Sequence, residues 1–282
     1  MSEAGAGPIL LVGAGRMGGA LLKGWLAQGI AADRIFVQEP ALGDELAALI
    51  RDAGISIGTP LALPAAPSVL LLAVKPQAMD DVLPSLGGLS GPDTLVISIA
   101  AGTTIATVAR HFAPDTAIIR AMPNTPAAIG RGITALYANA FVRPGQRNAC
   151  AALLGAVGET VWITSEGQMD AVTALSGSGP AYVFLLAECM AKAGEAAGLN
   201  PDLAAKLARA TVAGAGELLR LSDLNPAELR RNVTSPGGTT AAALRVLMGE
   251  APGGDTGPLQ QLLTEAIEAA ARRSRELAGG SE

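Results

Sequence analysis

Four apolar residues, Ile9 to Val12, run directly into Gly13-Ala14-Gly15-Arg16-Met17-Gly18, and an apolar stretch follows to about Leu26. A short uninterrupted apolar run is what a strand buried on both faces needs, and such strands belong to parallel sheets. The spacing G-x-G-x-x-G between a strand and a helix restricts what can follow. Its first glycine makes the tight turn, its second admits a pyrophosphate to the backbone, and its third closes helix onto strand. A glycine turn that binds nothing is the bland reading, and the strand–turn–helix setting argues against it. The chain is therefore expected to open with a dinucleotide-binding α/β unit.

The alternation continues downstream. A second strand is expected over Arg34–Glu39, a helix over 43–53, a strand near Ile55–Ile57 and another over Val69–Val74. Glu39 follows Gly18 by about twenty residues, where a strand-end acid meets the adenosine ribose. A carboxylate there accepts both ribose hydroxyls and repels a 2′-phosphate, which favours NADH over NADPH; a solvated acid at a strand end is the competing reading. Lys75 and Pro76 stand at the carboxyl edge of their strand, where open α/β sheets bind ligands. The strand Thr94–Ile99 runs into Ala100-Ala101-Gly102-Thr103, small enough for a nicotinamide ribose to lie on the backbone. Thr116–Arg120 leads to Met122-Pro123-Asn124-Thr125-Pro126, in which Asn124 either offers an amide to a ligand or is a plain turn residue. Late strands are expected at Ile133–Tyr137 and Thr160–Thr164, separated by a helix over about 145–157.

From Gln168 onward only helical stretches are legible, over roughly 168–197, 201–221, 226–231, 239–249 and 257–278. The domain boundary is placed at about 165. Residues 1–165 form the dinucleotide-binding part and 166–282 the helical part, with the tail Gly279–Glu282 expected to be disordered. Ser176-Gly177-Ser178-Gly179 precedes the helix that begins near Pro180; small residues let another backbone pack close, and the serines can also bind ligand. Ala181 to Ala193 is apolar apart from Glu188 and Lys192, so this helix is expected to be buried on most faces, which implies a partner subunit. Composition agrees: 50% of the 282 residues are hydrophobic and only 16% charged. The net charge of −5 offers no basic patch for nucleic acid. Met1 to Pro8 lacks a signal-peptide layout, and no apolar run reaches membrane-spanning length, so a soluble cytoplasmic protein is expected. Cys150 and Cys189 have no CxxC spacing and read as reduced core residues.

Chemistry concentrates in Asn232-Val233-Thr234-Ser235-Pro236-Gly237-Gly238-Thr239-Thr240. Gly237 and Gly238 let amides approach a ligand, and Thr239 and Thr240 fall in the opening turn of a helix through Leu247. The free N–H groups of such a turn suit a carboxylate; the plainer reading is a helix with Thr as its N-cap. The sole histidine, His111, reads as structural or surface. One histidine and two distant cysteines build no nucleophilic triad, Cys–His pair or metal cluster. A substrate that arrives electrophilic removes the need for a strong base. A protonated cyclic imine needs only positioning and a hydrogen bond to nitrogen.

With these residues assembled, the chain resembles the pyrroline-5-carboxylate reductase family over nearly its whole length. The resemblance rests on Ala171-Val172-Thr173-Ala174-Leu175-Ser176-Gly177-Ser178-Gly179-Pro180-Ala181-Tyr182, on Asn232–Thr240, on Ala73-Val74-Lys75-Pro76 and on Met122–Pro126. It implies a Rossmann-type N-terminal domain and an all-α C-terminal dimerisation domain like that of 6-phosphogluconate dehydrogenase. It further implies NAD(P)H-dependent reduction of 1-pyrroline-5-carboxylate to L-proline, the final step of proline biosynthesis. By resemblance the loop Ser235–Thr240, with Gly237 and Gly238, holds the substrate carboxylate, and Thr240 hydrogen-bonds the ring nitrogen as candidate proton donor. Glu166, Thr239 and Thr240 match substrate-contacting positions, with Ser176 and Ser178 taken as further substrate residues. Gly13, Ala14, Gly15, Arg16, Met17, Val74, Lys75, Ala101 and Asn232 match cofactor-contacting ones, with Glu39, Pro76 and Asn124 beside them. The family's helical domains interlock as homodimers, with rings of five dimers as a larger form. Two rivals are weighed: a β-hydroxyacid dehydrogenase relying on Lys192, and a non-catalytic cofactor-sensing paralogue.

Overall fold

In the computed structural model, which describes residues 7–59, 63–249 and 257–279, eight short strands share a single sheet. They are β1 (Ile9–Val12), β2 (Ile35–Gln38), β3 (Ser56–Ile57), β4 (Val69–Leu72), β5 (Leu95–Ser98), β6 (Ala117–Met122), β7 (Gly132–Ala138) and β8 (Gly158–Trp162). Their order is β3-β2-β1-β4-β5-β6-β7-β8, so the direction of winding reverses between β1 and β4. At such a reversal the two neighbouring crossovers leave a crevice outside the carboxyl ends of the strands. Residue period two sorts the side chains. Leu11, Val37, Leu71 and Ile97 face one layer with Trp25, Cys150 and Leu154, while Leu10, Val12, Leu70 and Val96 face the other with Met79, Leu83 and Val108. Because both faces are covered, the central strands read as continuous apolar runs. Trp25 is fully buried, and its indole N–H donates to the Leu153 carbonyl at 2.8 Å.

Helices α1 (Arg16–Ala27), α2 (Asp44–Ala53), α3 (Met79–Val82), α4 (Ile105–Ala109) and α5 (Pro144–Leu154) occupy the connections. The alternation breaks at one point. β6 and β7 are antiparallel, with Arg120 opposite Tyr137. Only a short 3-10 helix, Thr125–Ile129, lies between them, too little for the crossover that a parallel pair needs. The last strand also sits two residues earlier than the expected Thr160–Thr164. After it come α6 (Met169–Val172) and a π-helical turn, Thr173–Gly177.

Two compact units result, one running to Gly177 and including the residues from Ala271, the other spanning Ser178–Ala270. The second contains α7 (Gly179–Ala196), α8 (Pro201–Leu221), α9 (Pro226–Asn232), α10 (Thr239–Met248) and most of α11 (Pro258–Gly279). Two of these helices start on an Asn–Pro pair. The Asn200 and Asn225 side chains accept from the amides of Leu203 and Glu228, and Pro201 and Pro226 fill the first helical position, where no amide is needed. α7 packs on α8 where Gly194 meets Ala204, which is buried. Otherwise α7 contributes no buried residue among those described, and Phe184 is 68% exposed. What would cover this apolar helix is not supplied by its own unit.

That exposure corrects one expectation. Cys150 is buried in the sheet's core, but Cys189, on α7, is exposed, because the apolar surface around it has no neighbour in the single chain. The expectations for the N-terminal stretch Met1–Ala6 and the tail Gly280–Glu282 lie outside the described residues. Burial pushes the Cys150 thiol well above its usual range. The thiolate is the reactive form, so Cys150 is expected to resist iodoacetamide in the folded protein at about pH 8 and to react fully in denaturant. Mass spectrometry of the labelled peptides checks this.

Candidate active site

β1, β4, β5 and β6 lie side by side and parallel, so the loops leaving their carboxyl ends share one edge of the sheet. Those loops carry Gly13–Met17, Val74–Pro76, Ala100–Thr103 and Pro123–Thr125. The sheet thus brings together the expected cofactor loops of the first unit. Gly13 has φ +91°, and a β-carbon on it would stand 2.8 Å from the carbonyl of Ala73. A β-carbon on Gly18 would collide with the Gly13 carbonyl oxygen. These two glycines are fixed by their own fold. Gly15 differs, because nothing lies within 4 Å of where its β-carbon would be. Its backbone, the N-cap of α1, faces open space with no side-chain cap. That open cradle, bounded by two tight glycines, fits a pyrophosphate at a helix N-terminus. A cleft of about 440 Å³ adjoins it, lined in part by Arg16, Lys23, Gly43 and Glu45.

Glu39 is drawn into the glycine turn. Its Oε2 accepts from the Ala14 amide at 2.8 Å and its Oε1 from the Ala41 amide at 3.1 Å. Two backbone amides thus hold the carboxylate beside the glycine turn. Asn124 has a structural task as well: its Oδ1 accepts from the Ile133 amide at 2.9 Å, closing the turn between β6 and β7. Lys75 and Pro76 are exposed; Lys75 caps a one-turn 3-10 helix, Pro76–Ala78. Ala101 is exposed, and the neighbouring Gly102, at φ +75°, comes near Leu277 of the last helix.

Glu166 is the most constrained of the expected substrate residues. Its Oε1 accepts from the Ile105 amide at 2.8 Å and from Arg120 Nη1 at 3.1 Å. Sequence reasoning has Arg120 only as the end of a strand. The signal for more is a charged residue inside the apolar run Ala-Ile-Ile-Arg-Ala-Met, where an unpaired charge is not tolerated. Ser176 donates to the Val172 carbonyl at 3.1 Å within the π-helical turn. Such turns are frequent at functional sites. A β-carbon on Gly177 would press on the Met122 methyl at 2.6 Å, so that flexible side chain would have to shift to admit one.

In the second unit, the bend before α10 has Gly237 at φ +71°. The N-cap is Gly238, not a threonine, and Thr239 and Thr240 are the first two helical residues. The Ser235 hydroxyl occupies the space a side chain on Gly238 would take, and no side chain caps the helix. Among the described residues, the amides of Thr239, Thr240 and Ala241 therefore point out of the helix unpaired. Ser235 and Thr239 are exposed, and Thr240 is half-buried. Ser178 is the N-cap of α7, its carbonyl accepting from the Ala181 amide. Asn232, at the end of α9, is exposed. His111 is a half-buried turn residue after α4. Lys192 is paired with Glu188 at 2.6 Å on α7, and that carboxylate raises its pKa, the opposite of what a general base needs.

Comparison with known proteins shows the family. Residues 166–277 match the family described as pyrroline-5-carboxylate reductase dimerisation, and residues 8–102 match NADP oxidoreductase, coenzyme F420-dependent. A pyrroline-5-carboxylate reductase of Pseudomonas aeruginosa is 40% identical over 271 residues, covering 96% of both chains. The chain belongs to the pyrroline-5-carboxylate reductase family. The solved structure of a family member from Coxiella burnetii has a TM-score of 0.87 at 36% identity, covering 96% of this chain and 98% of that one. Another, from Plasmodium falciparum and solved with NADP bound, has a TM-score of 0.77 at 26% identity, covering 97% and 99%. The family's two-part plan, a Rossmann-like sheet domain followed by a helical dimerisation domain, is the one found here.

The glycine turn yields a direct test. Gly15→Val has room in the fold, so its melting temperature is expected to stay within about 4 °C of wild type, while its affinity for NADH falls at least about 100-fold by occlusion of the cradle. Fluorescence titration with NADH measures the affinity. Gly13→Val, by contrast, is expected not to fold.

Proposed function

We propose that this protein is a pyrroline-5-carboxylate reductase, reducing 1-pyrroline-5-carboxylate to L-proline with NAD(P)H. The whole-length family likeness carries the reading, and the geometry of the two ligand loops gives it a chemistry. When bound, the dinucleotide supplies the hydride. Gly13, Ala14, Gly15, Arg16 and Met17 hold its pyrophosphate, Glu39 its adenosine ribose, and Val74, Lys75, Pro76, Ala101, Asn124 and Asn232 its nicotinamide half. The bend Ser235–Thr240, with Gly237, Gly238, the Ser235 hydroxyl and the unpaired amides of Thr239 and Thr240, takes the substrate carboxylate. Ser176, Ser178 and Glu166 complete the substrate pocket.

The substrate is a cyclic imine protonated on nitrogen. Hydride addition at the ring carbon converts the C=N π pair into a nitrogen lone pair, so the cation becomes a neutral secondary amine. Thr240 donates to the lone pair so formed, and the proton it relays from solvent turns the amine into the product ammonium. No strong base takes part, because the electrophile is formed before binding and the protein's work is positioning.

Residues 1–165 serve the dinucleotide and 166–282 dimerisation and substrate binding. The apolar surface of α7 is covered by a second copy, and five dimers form a ring. The protein resides in the cytoplasm, and no helix among the described residues is long and apolar enough to cross a membrane.

NADH is the favoured cofactor on this reading, because the anchored Glu39 carboxylate would stand beside a 2′-phosphate, and like charges set against each other are costly. Loss of NADH absorbance on mixing with pyrroline-5-carboxylate tests the activity itself, and no turnover would overturn it. Glu39→Ser is expected to shift kcat/KM toward NADPH by about tenfold or more. A wild-type preference for NADPH well above tenfold would refute the cofactor assignment. Thr240→Ala is expected to lower kcat by about 100-fold, the scale of one lost proton-transfer group, with the NADH dissociation constant unchanged. Equal losses in both would assign Thr240 a structural role.

A further inference from the structure

Among the described residues, Arg120 is the only buried side chain that carries a charge. It lies in β6 beside Ser98 of β5, and strand alternation puts it on the same face as Ile118. Burying a guanidinium is costly, and a lone buried cation is not kept without a partner. Its partner is Glu166, but the pairing is lopsided. Arg120 Nη1 and the Ile105 amide both donate to Oε1, at 3.1 and 2.8 Å. Among the described residues, Oε2 accepts no hydrogen bond. The Glu166 side chain is 28% exposed, whereas that of Arg120 is 6% exposed.

A pair that served only to neutralise the arginine has a better geometry available. The planar fork of a guanidinium matches both oxygens of a carboxylate at once. Here both donors crowd one oxygen, and the other has no donor on a side chain that is 28% exposed and is held by the first amide of the helix following β5. Ile105 opens a helix, so its amide has no partner within that helix and is available to hold the carboxylate.

We propose that Arg120 is a positioning residue for the reduction. It acts through Glu166, fixing that carboxylate so that Oε2 stays free to accept from the N–H of the protonated imine and of the amine formed from it. The inference rests on the proposed reductase activity.

The full-length enzyme and the variants Arg120→Met, Glu166→Gln and the double variant test it, with KM and kcat for pyrroline-5-carboxylate measured at saturating NADH. Glu166→Gln is expected to raise KM about tenfold or more, the effect of losing one hydrogen bond to a charged group. Arg120→Met is expected to raise it comparably, and the double variant no further than the worse single one, since the two residues act in series. The NADH dissociation constant should change less than about twofold. An Arg120→Met enzyme that only melts earlier, with wild-type KM, overturns the inference, and so does a double variant whose losses multiply. Should Arg120→Met not fold, Arg120→Lys takes its place in the same cycle. A rise in KM from Arg120→Lys that is present with Glu166 intact and absent in the Glu166→Gln background then supports the inference. Equal effects in both backgrounds overturn it. If wild type does not reduce the imine, both readings fall. An active wild type with uncoupled residues overturns this one alone.

Discussion

Gly13 is held so near the chain leaving β4 that the two backbones are almost in van der Waals contact. The Ala73 amide completes this junction by donating to the Val12 carbonyl at 2.7 Å. β1 and β4 can then pair along their whole length, and the direction of winding reverses between them. Much of the first unit follows from that approach. The crevice outside the strand ends, the exit angle of α1 and the open backbone at Gly15 all depend on a position where only glycine has room and the required φ. The site is a consequence of a tight crossing in the sheet.

Two carboxylates are then used in similar ways. Glu39 and Glu166 are each tied down by backbone amides of a neighbouring loop. For Glu39 the result is an acid locked onto the glycine turn, with both oxygens engaged. For Glu166 it is an acid with one oxygen engaged and one spare. The same residue type therefore has both oxygens engaged in one place and one of two in the other, according to how many donors surround it.

The helical unit follows a different logic. α7 and α8 approach closely at Gly194 and Ala204, yet much of their apolar surface faces outward. A lone folded chain in water does not leave so much of a helix uncovered, and the match of residues 166–277 to a dimerisation family accounts for it. The exposure of Cys189 has the same origin. Apolar sequence marks surface that must be covered, but not by which chain.

What can be read from the residues alone is whatever rests on local rules. Continuous apolar runs mark the central strands, and Asn–Pro pairs at 200–201 and 225–226 mark helix starts to within a residue, because capping is decided by two or three neighbours. The glycine spacing and the bend at 235–240 are legible for the same reason. The antiparallel turn of β7, the capture of Glu39 by the Ala14 amide and the Arg120–Glu166 pair are not, since each joins residues far apart in sequence. The sequence determined which segments are strands, which are helices and which residue types stand at their ends. Only the tertiary structure decided which partner each of these charged side chains meets, because that depends on the order in which strands lie side by side.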